Sequence, residues 1–208
     1  MSQADLVEPW PPACELAGEH ALLTPLSLSH APALADAVRD GELWKLWYTN
    51  VPAPEDMEAN IAWRLARRGE GTWAPFAVID QKTGLPVGMT SYMNIDADNR
   101  RLEIGSTWYR RSVQRSALNT ECKRMLLGHA FEVLDCIAVE IRTHRLNLQS
   151  RQAIERLGAR LDGILRSHSR SRDGALRDTC VYSIIAGEWP TIRQHLDWKL
   201  GRAGDMAR

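Results

Sequence analysis

Apolar positions recur with two periods along the chain, and the places where one period gives way to the other mark out the elements. Residues 20–27, "HALLTPLS", alternate as a first strand. Residues 29–40 return to helical spacing, with Ser29 as the predicted cap and Pro32 in the first turn. Two more helices are predicted over residues 42–50, "ELWKLWYTN", and 53–71, the second with acids in its first turn, arginines in its last and Gly69 as its stop. Residues 74–80 and 85–95 then alternate on either side of "QKTG", the pattern of an antiparallel hairpin, and residues 100–109, "RRLEIGSTWY", form a third strand.

The period switches again at residues 119–134, where Cys122, Met125, Leu126, His129, Ala130 and Val133 fall at helical spacing. "IAVEIRTH", residues 137–144, alternates once more, so a strand-helix-strand crossover is predicted. A helix over residues 147–159 stops at Gly158, a closing hairpin turns at Asp173-Gly174, and residues 188–200 form a last helix. Meander strands leading into one crossover predict an α+β fold, a mostly antiparallel mixed sheet with helices on both faces. One domain is expected over residues 19–200, between an N-terminal extension (1–18) rich in proline and a C-terminal tail (201–208).

Composition narrows the function classes. The 26 lysines and arginines equal the 26 aspartates and glutamates, so no global charge draws the chain to nucleic acid or acidic membrane. "RSHSRSRDG" is locally basic, but it lies on a strand entering a turn, without a nucleic-acid-binding motif. The four cysteines are scattered, with neither C-x-x-C nor a His/Cys ligand spacing, which predicts reduced thiols and no metal. The N-terminus is unlike a signal peptide and no run nears the roughly 20 apolar residues of a membrane span, so a cytoplasmic protein is expected.

The short segment Gln114, Arg115, Ser116, Ala117, Leu118, Asn119 joins the third meander strand to the crossover helix. With Asn119 as predicted cap, loop amides and the first-turn N–H groups converge on one point, a seat for a diphosphate, and the side chains of Gln114 and Arg115 add donors. Neither G-x-G-x-x-G nor G-x-x-x-x-G-K-[ST] is present, which excludes the usual dinucleotide and P-loop folds.

That loop, the helix "NTECKRMLLGHAFEVL", the strand "IAVEIRTH", the segment "NLQSRQAIERLGA" and the ending "DGALRDTCVYSII" together resemble the Gcn5-related N-acetyltransferases (GNAT), most closely the RimJ/RimL-like branch, over about residues 20–200. The resemblance implies acetyl-CoA as cofactor, with its diphosphate on a Q/R-x-x-G-x-G/A loop; Gln114 matches, while Ala117 and Asn119 replace the small positions. It implies that Asn147 contacts the pantetheine arm and that a main-chain N–H near Thr107, Trp108 and Tyr109 polarises the thioester carbonyl. The tyrosine that protonates the departing thiolate in many members falls at Ile154, leaving Ser150 as the nearest hydroxyl. The early helical region, with Trp44 and Trp47, is implied as a wall of the acceptor cleft, and His168 on a closing strand as a further acceptor contact.

Acetyl transfer to an amine needs a base, and Glu103, alternating with Leu102 and Ile104 beside the implied cofactor, is the leading candidate. Asp178 reads as an ion-pair partner and His129 as a core histidine. Cys122 and Cys136 belong to apolar faces, so direct transfer in a ternary complex is expected rather than a covalent acetyl-enzyme. The partner is an amine acceptor, a protein N-terminus or a small molecule, with no nucleic acid and no membrane; the aromatic content is compatible with a homodimer. The alternative is a non-catalytic acyl-CoA sensor of the same fold.

Overall fold

The computed structural model describes residues 9–171 and 174–202, so Asp173 of the expected turn lies outside the described residues. The sheet has eight strands: β1 (Leu16–Ala17), β2 (Ala21–Pro25), β3 (Trp73–Asp80), β4 (Leu85–Asp96), β5 (Arg101–Tyr109), β6 (Ala138–His144), β7 (Arg160–Arg170) and β8 (Leu176–Ile185). Their spatial order is β1-β2-β3-β4-β5-β6-β8-β7. Every pairing is antiparallel except β5 with β6, the strands joined by the crossover. The α+β architecture read from the alternating and helical periods is the one the chain adopts.

Helices cover both faces. α1 (Ala31–Arg39) and α2 (Met57–Gly69) bury Leu34, Val38, Met57 and Ile61 against Ala77, Met89 and Trp108 on one side. α3 (Ala117–Gly128), α4 (Leu148–Glu155) and α5 (Trp189–Lys199) close the other side over Tyr92, Leu102, Ile104, Val139 and Tyr182. α3 continues into a π-helical turn, His129–Val133, where Tyr92 reaches across to donate to the Leu126 carbonyl at 2.6 Å.

Several boundaries differ from the sequence expectation. Residues 42–50 are not a helix: Gly41 and Glu42 take left-handed backbone (φ 101° and 48°), and only a single 3-10 turn, Leu43–Lys45, follows. α1 is preceded by another such turn, Leu28–His30, so Ser29 is not its cap; the His30 imidazole instead accepts the Ser27 N–H at 3.1 Å. The cap of α3 is Ser116, whose Oγ accepts from the Leu118 N–H at 3.3 Å, and Asn119 lies inside the helix. Part of the expected N-terminal extension is built into the fold, since Leu16–Ala17 pairs with β2 and Trp10 and Cys14 pack on the core.

The start of β2 is tied to α3 by one carboxylate. Glu121 is fully buried; its Oε2 accepts from His20 N at 2.6 Å and Ala21 N at 2.8 Å, and its Oε1 from Glu19 N at 2.8 Å and from the Arg202 guanidinium. Gly18 lets the chain pass over it, because a Cβ there would stand 2.3 Å from the Glu121 Cδ.

Candidate active site

The parallel pair β5 and β6 stays in register for three positions only, Arg101 with Ala138, Leu102 with Val139 and Glu103 with Glu140, and then diverges. β6 remains zipped to β8 up to His144, and β5 remains on β4 up to Tyr109. Beyond Glu103 the facing edges of β5 and β6 therefore lack strand partners for each other. Such main-chain groups need acceptors and donors from elsewhere, and an extended ligand with amide groups supplies them.

A bulge in β5 sits at this opening. Met89 faces Trp108 and Ser91 faces Gly105, so β5 spends one residue more than β4 across the interval, and Ser106 takes a left-handed φ of 50°. An extra residue exchanges the faces of everything beyond it. Glu103 points to the α2 side, whereas Thr107, also odd-numbered, points to α3.

Each side of the bulge meets a buried cation. Arg64 on α2, 2% exposed, donates to Ser106 Oγ at 2.8 Å, Ser91 Oγ at 3.2 Å and Asn60 Oδ1 at 2.8 Å, and burial lowers its guanidinium to about 10. On the other face Lys123 of α3 donates to Thr107 Oγ1 at 3.1 Å, and Thr107 shares a 2.8 Å bond with Thr90 Oγ1. Lys123 is 7% exposed, and burial lowers its ammonium to about 8. Among the described residues neither cation forms an ion pair.

Glu103 lines a hollow of about 460 Å³ together with Asn94, Arg101, Glu140 and Arg142. It accepts from Asn94 Nδ2 at 2.7 Å and stands 3.5 Å from Arg142 Nε. Burial pushes its carboxyl above the usual glutamate value, against the opposing pull of Arg142 and Asn94. The far wall of the gap ends in His144, which is buried, with Trp47 edge-on at 5.1 Å and Tyr48 at 6.4 Å. Its Nδ1 accepts from Leu146 N at 3.0 Å, which puts the proton of the neutral ring on Nε2, and that atom has no protein partner. The half-exposed Trp47 thus does reach the gap, while Trp44 packs on the α1–α2 cluster.

The other predicted positions divide. Arg115 is exposed with φ 61°, so the left-handed residue of the loop is this one and Ala117 is free to start the helix. Gln114 turns its amide back to the Tyr109 carbonyl at 2.9 Å. The side chains of Trp108, Tyr109 and Leu118 are buried in the two cores, so only their main chains border the gap. Asn147 caps α4 and accepts from Ser150 N at 3.1 Å, with Ser150 half-buried and Ile154 in the core. His168 is not brought to the gap: it lies exposed on the outer strand β7, with β8 and β6 between it and β5. Asn147→Ala is expected to cost about 1 kcal/mol of stability, measured by urea denaturation, because the first turn of α4 loses its acceptor. An unchanged midpoint would show the cap to be dispensable.

Lys123, Arg64 and His144 were not singled out from the sequence. The first two carried a signal: Lys123 falls at helical spacing with Leu127, Ala130 and Leu134, and Arg64 with Met57 and Ile61, so each is a cation on a buried stripe.

Comparison with known proteins places this architecture. The family model described as an acetyltransferase (GNAT) domain matches residues 20–160 of the 208-residue chain. The chain belongs to the GCN5-related N-acetyltransferases. A Bacillus subtilis (strain 168) protein provisionally named ribosomal N-acetyltransferase YdaF is 33% identical over 107 residues, 49% of this chain and 55% of its own length, so the match spans about half of that relative. A crystal structure of a GCN5-related N-acetyltransferase from Brucella melitensis superposes with a TM-score of 0.79 at 29% identity, covering 91% of this chain and 86% of that one. Mycobacterium smegmatis RimJ, solved in complex with CoA-disulfide, shares the fold with a TM-score of 0.75 at 22% identity over 93% of this chain and 97% of its own. Enzymes of the family move acetyl groups from acetyl-CoA. The gap fits a ligand of that kind: it offers unpaired strand edges, the orphaned His144 Nε2 and a serine-capped helix start beside Arg115.

Proposed function

We propose that the chain transfers the acetyl group of acetyl-CoA to a primary amine, a protein N-terminal α-amine or a small-molecule amine, by direct transfer in a ternary complex. Acetyl-CoA supplies an activated thioester. The first turn of α3, with Ser116, Arg115 and the main chain of Ala117, Leu118 and Asn119, holds the diphosphate; the free edge of β5 and Asn147 hold the pantetheine arm. The main-chain N–H groups at Thr107 to Tyr109 face the thioester oxygen as charge develops on it.

The observation that carries the reading is Glu103, a buried carboxylate at the last position where β5 and β6 are paired, where the gap begins, which also lines the hollow of about 460 Å³ at the start of those two strands. Gly105 keeps the approach narrow and bare, since a Cβ there would stand 2.8 Å from Glu103 Oε1. A carboxyl raised by burial is a better match to an ammonium donor than a solvated one, because proton transfer is most effective when the two pKa values converge. This favours an enzyme over a sensor, which has no use for a buried carboxylate of raised pKa where the gap begins. Trp47 forms an aromatic rim beside the acceptor path, and Ser150 flanks the leaving sulfur.

Calorimetric titration with acetyl-CoA tests the cofactor seat. Micromolar-range binding is expected, weakened about tenfold, equivalent to about 1.4 kcal/mol, in Arg115→Glu, followed by turnover with at least one amine in a panel of peptides and small amines. A folded protein that binds no acetyl-CoA would reduce the kinship to shared architecture.

A further inference from the structure

We propose that Lys123 is the proton source for the departing sulfur of coenzyme A, acting through the Thr107 hydroxyl; the inference rests on the acetyltransferase reading of the gap. An ammonium group has three donors, and Lys123 places one on Thr107 Oγ1, the single protein acceptor it reaches among the described residues. Two N–H groups are left in a buried setting that charges ordinarily occupy only when paired. The reaction supplies the missing counter-charge at one moment, when the C–S bond breaks.

Geometry assigns the two proton tasks to opposite faces of β5. The bulge sends Glu103 to the α2 side and Thr107 to the α3 side, so base and acid do not compete for one position. Because Lys123 donates to Thr107, the Thr107 proton is directed away from the lysine, where Thr90 Oγ1 at 2.8 Å and the Gly105 carbonyl at 3.4 Å are the protein acceptors within its reach before the ligand sulfur is presented. The titratable groups that act on Lys123 are Cys122 on its own helix and, across the strand from the opposite face of β5, Glu103, both favouring the charged form; Glu121, on the same helix, is committed to the amides of residues 19–21 and to Arg202. Thr90 and Thr107 add only hydroxyls.

The transfer balances. Glu103 takes the proton of the acceptor nitrogen as the C–N bond forms. Thr107 gives its hydroxyl proton to sulfur as the C–S bond breaks and the electron pair stays on sulfur, and Lys123 restores the Thr107 proton. Solvent reprotonates Lys123 and deprotonates Glu103 after the products leave. An ammonium lowered by burial to about 8 lies near the reference value of a thiol, roughly 8.5, so the proton moves without a steep climb in either direction.

The test needs no knowledge of the acceptor. Coenzyme A bound to the full chain is titrated by the ultraviolet absorbance of its thiolate, for the wild-type protein and for Lys123→Met, Lys123→Arg, Thr107→Val and Thr107→Ser, each checked for an intact melting transition. A neighbouring cation stabilises the thiolate, so the bound thiol is expected to ionise about one pH unit below the free one, a tenfold gain in thiolate at a given pH. Lys123→Met should abolish the shift and Lys123→Arg should keep it. Thr107→Val should reduce it by half or more, and Thr107→Ser should keep it. Ionisation at the same pH in the wild-type protein and Lys123→Met, with coenzyme A bound to both, overturns this inference alone. No binding of coenzyme A by the folded wild-type protein would sink the acetyltransferase reading with it.

Discussion

Glu121→Ala is expected to destabilise the fold by about 3–5 kcal/mol, and thermal melting should register a fall in Tm on the order of 10 °C. The amides of Glu19, His20 and Ala21 converge on this one carboxylate at 2.6 to 2.8 Å. Removing it leaves these N–H groups without a partner at the entry of β2, at a cost of about 1–3 kcal/mol for each one that water does not reach. Glutamine keeps one oxygen, so Glu121→Gln should fall between the two. The tie also has a functional side, because it fixes α3 against the sheet and with it the Ser116 cap and Lys123. A variant melting within about 2 °C of the parent would mean that the three amides are satisfied by solvent and that the carboxylate is ornamental.

Glu103→Gln is the larger functional perturbation. Loss of a positioned base typically costs about 10²–10⁴ in rate, so kcat should drop in that range for whichever amine the screen identifies, with acetyl-CoA affinity little changed. The glutamine oxygen still accepts from Asn94, so the fold should melt within about 4 °C of the parent. The sign of the pH dependence follows from burial. In the proposed role of base Glu103 acts only when ionised, and its folded value stands above the usual 4.5, so the acid limb of kcat/KM should begin above that pH and move or vanish in the variant. The same shift makes its contribution to stability run against activity: a raised carboxyl favours the folded state at low pH and loses that contribution as pH rises through the folded value. An acid limb unchanged in Glu103→Gln would remove this carboxylate from proton transfer.

The features legible along the chain were those set by local rules. Alternation at residues 74–80, 85–95 and 137–144 marked strands because only one period lets a pleated segment bury one face, and the helical stripe after residue 119 marked the crossover. The crossover implied a parallel pair, and the parallel pair is where the gap lies. Glu103 and the 114–119 loop could be chosen because a carboxylate among apolar strand residues and a polar loop opening onto a helix each have a short-range meaning, whereas Asn147 came from the family resemblance. The aromatic run "ELWKLWYTN" misled for the same reason: its spacing suits a helix, but Gly41 and Glu42 enter left-handed backbone, a single 3-10 turn follows, and Trp47 and Tyr48 reach His144 of β6 instead.

By itself the sequence determined most of the element order, the crossover and the family. Tertiary structure alone decided which face each site residue occupies. Strict alternation would set Glu103 and Thr107 on the same side of β5. One extra residue at Ser106, held by the Arg64 guanidinium, exchanges the faces beyond it and brings Thr107 to Lys123. A bulge depends on the partner strand and on the helix packed above it, and neither is written in the nine residues that bend.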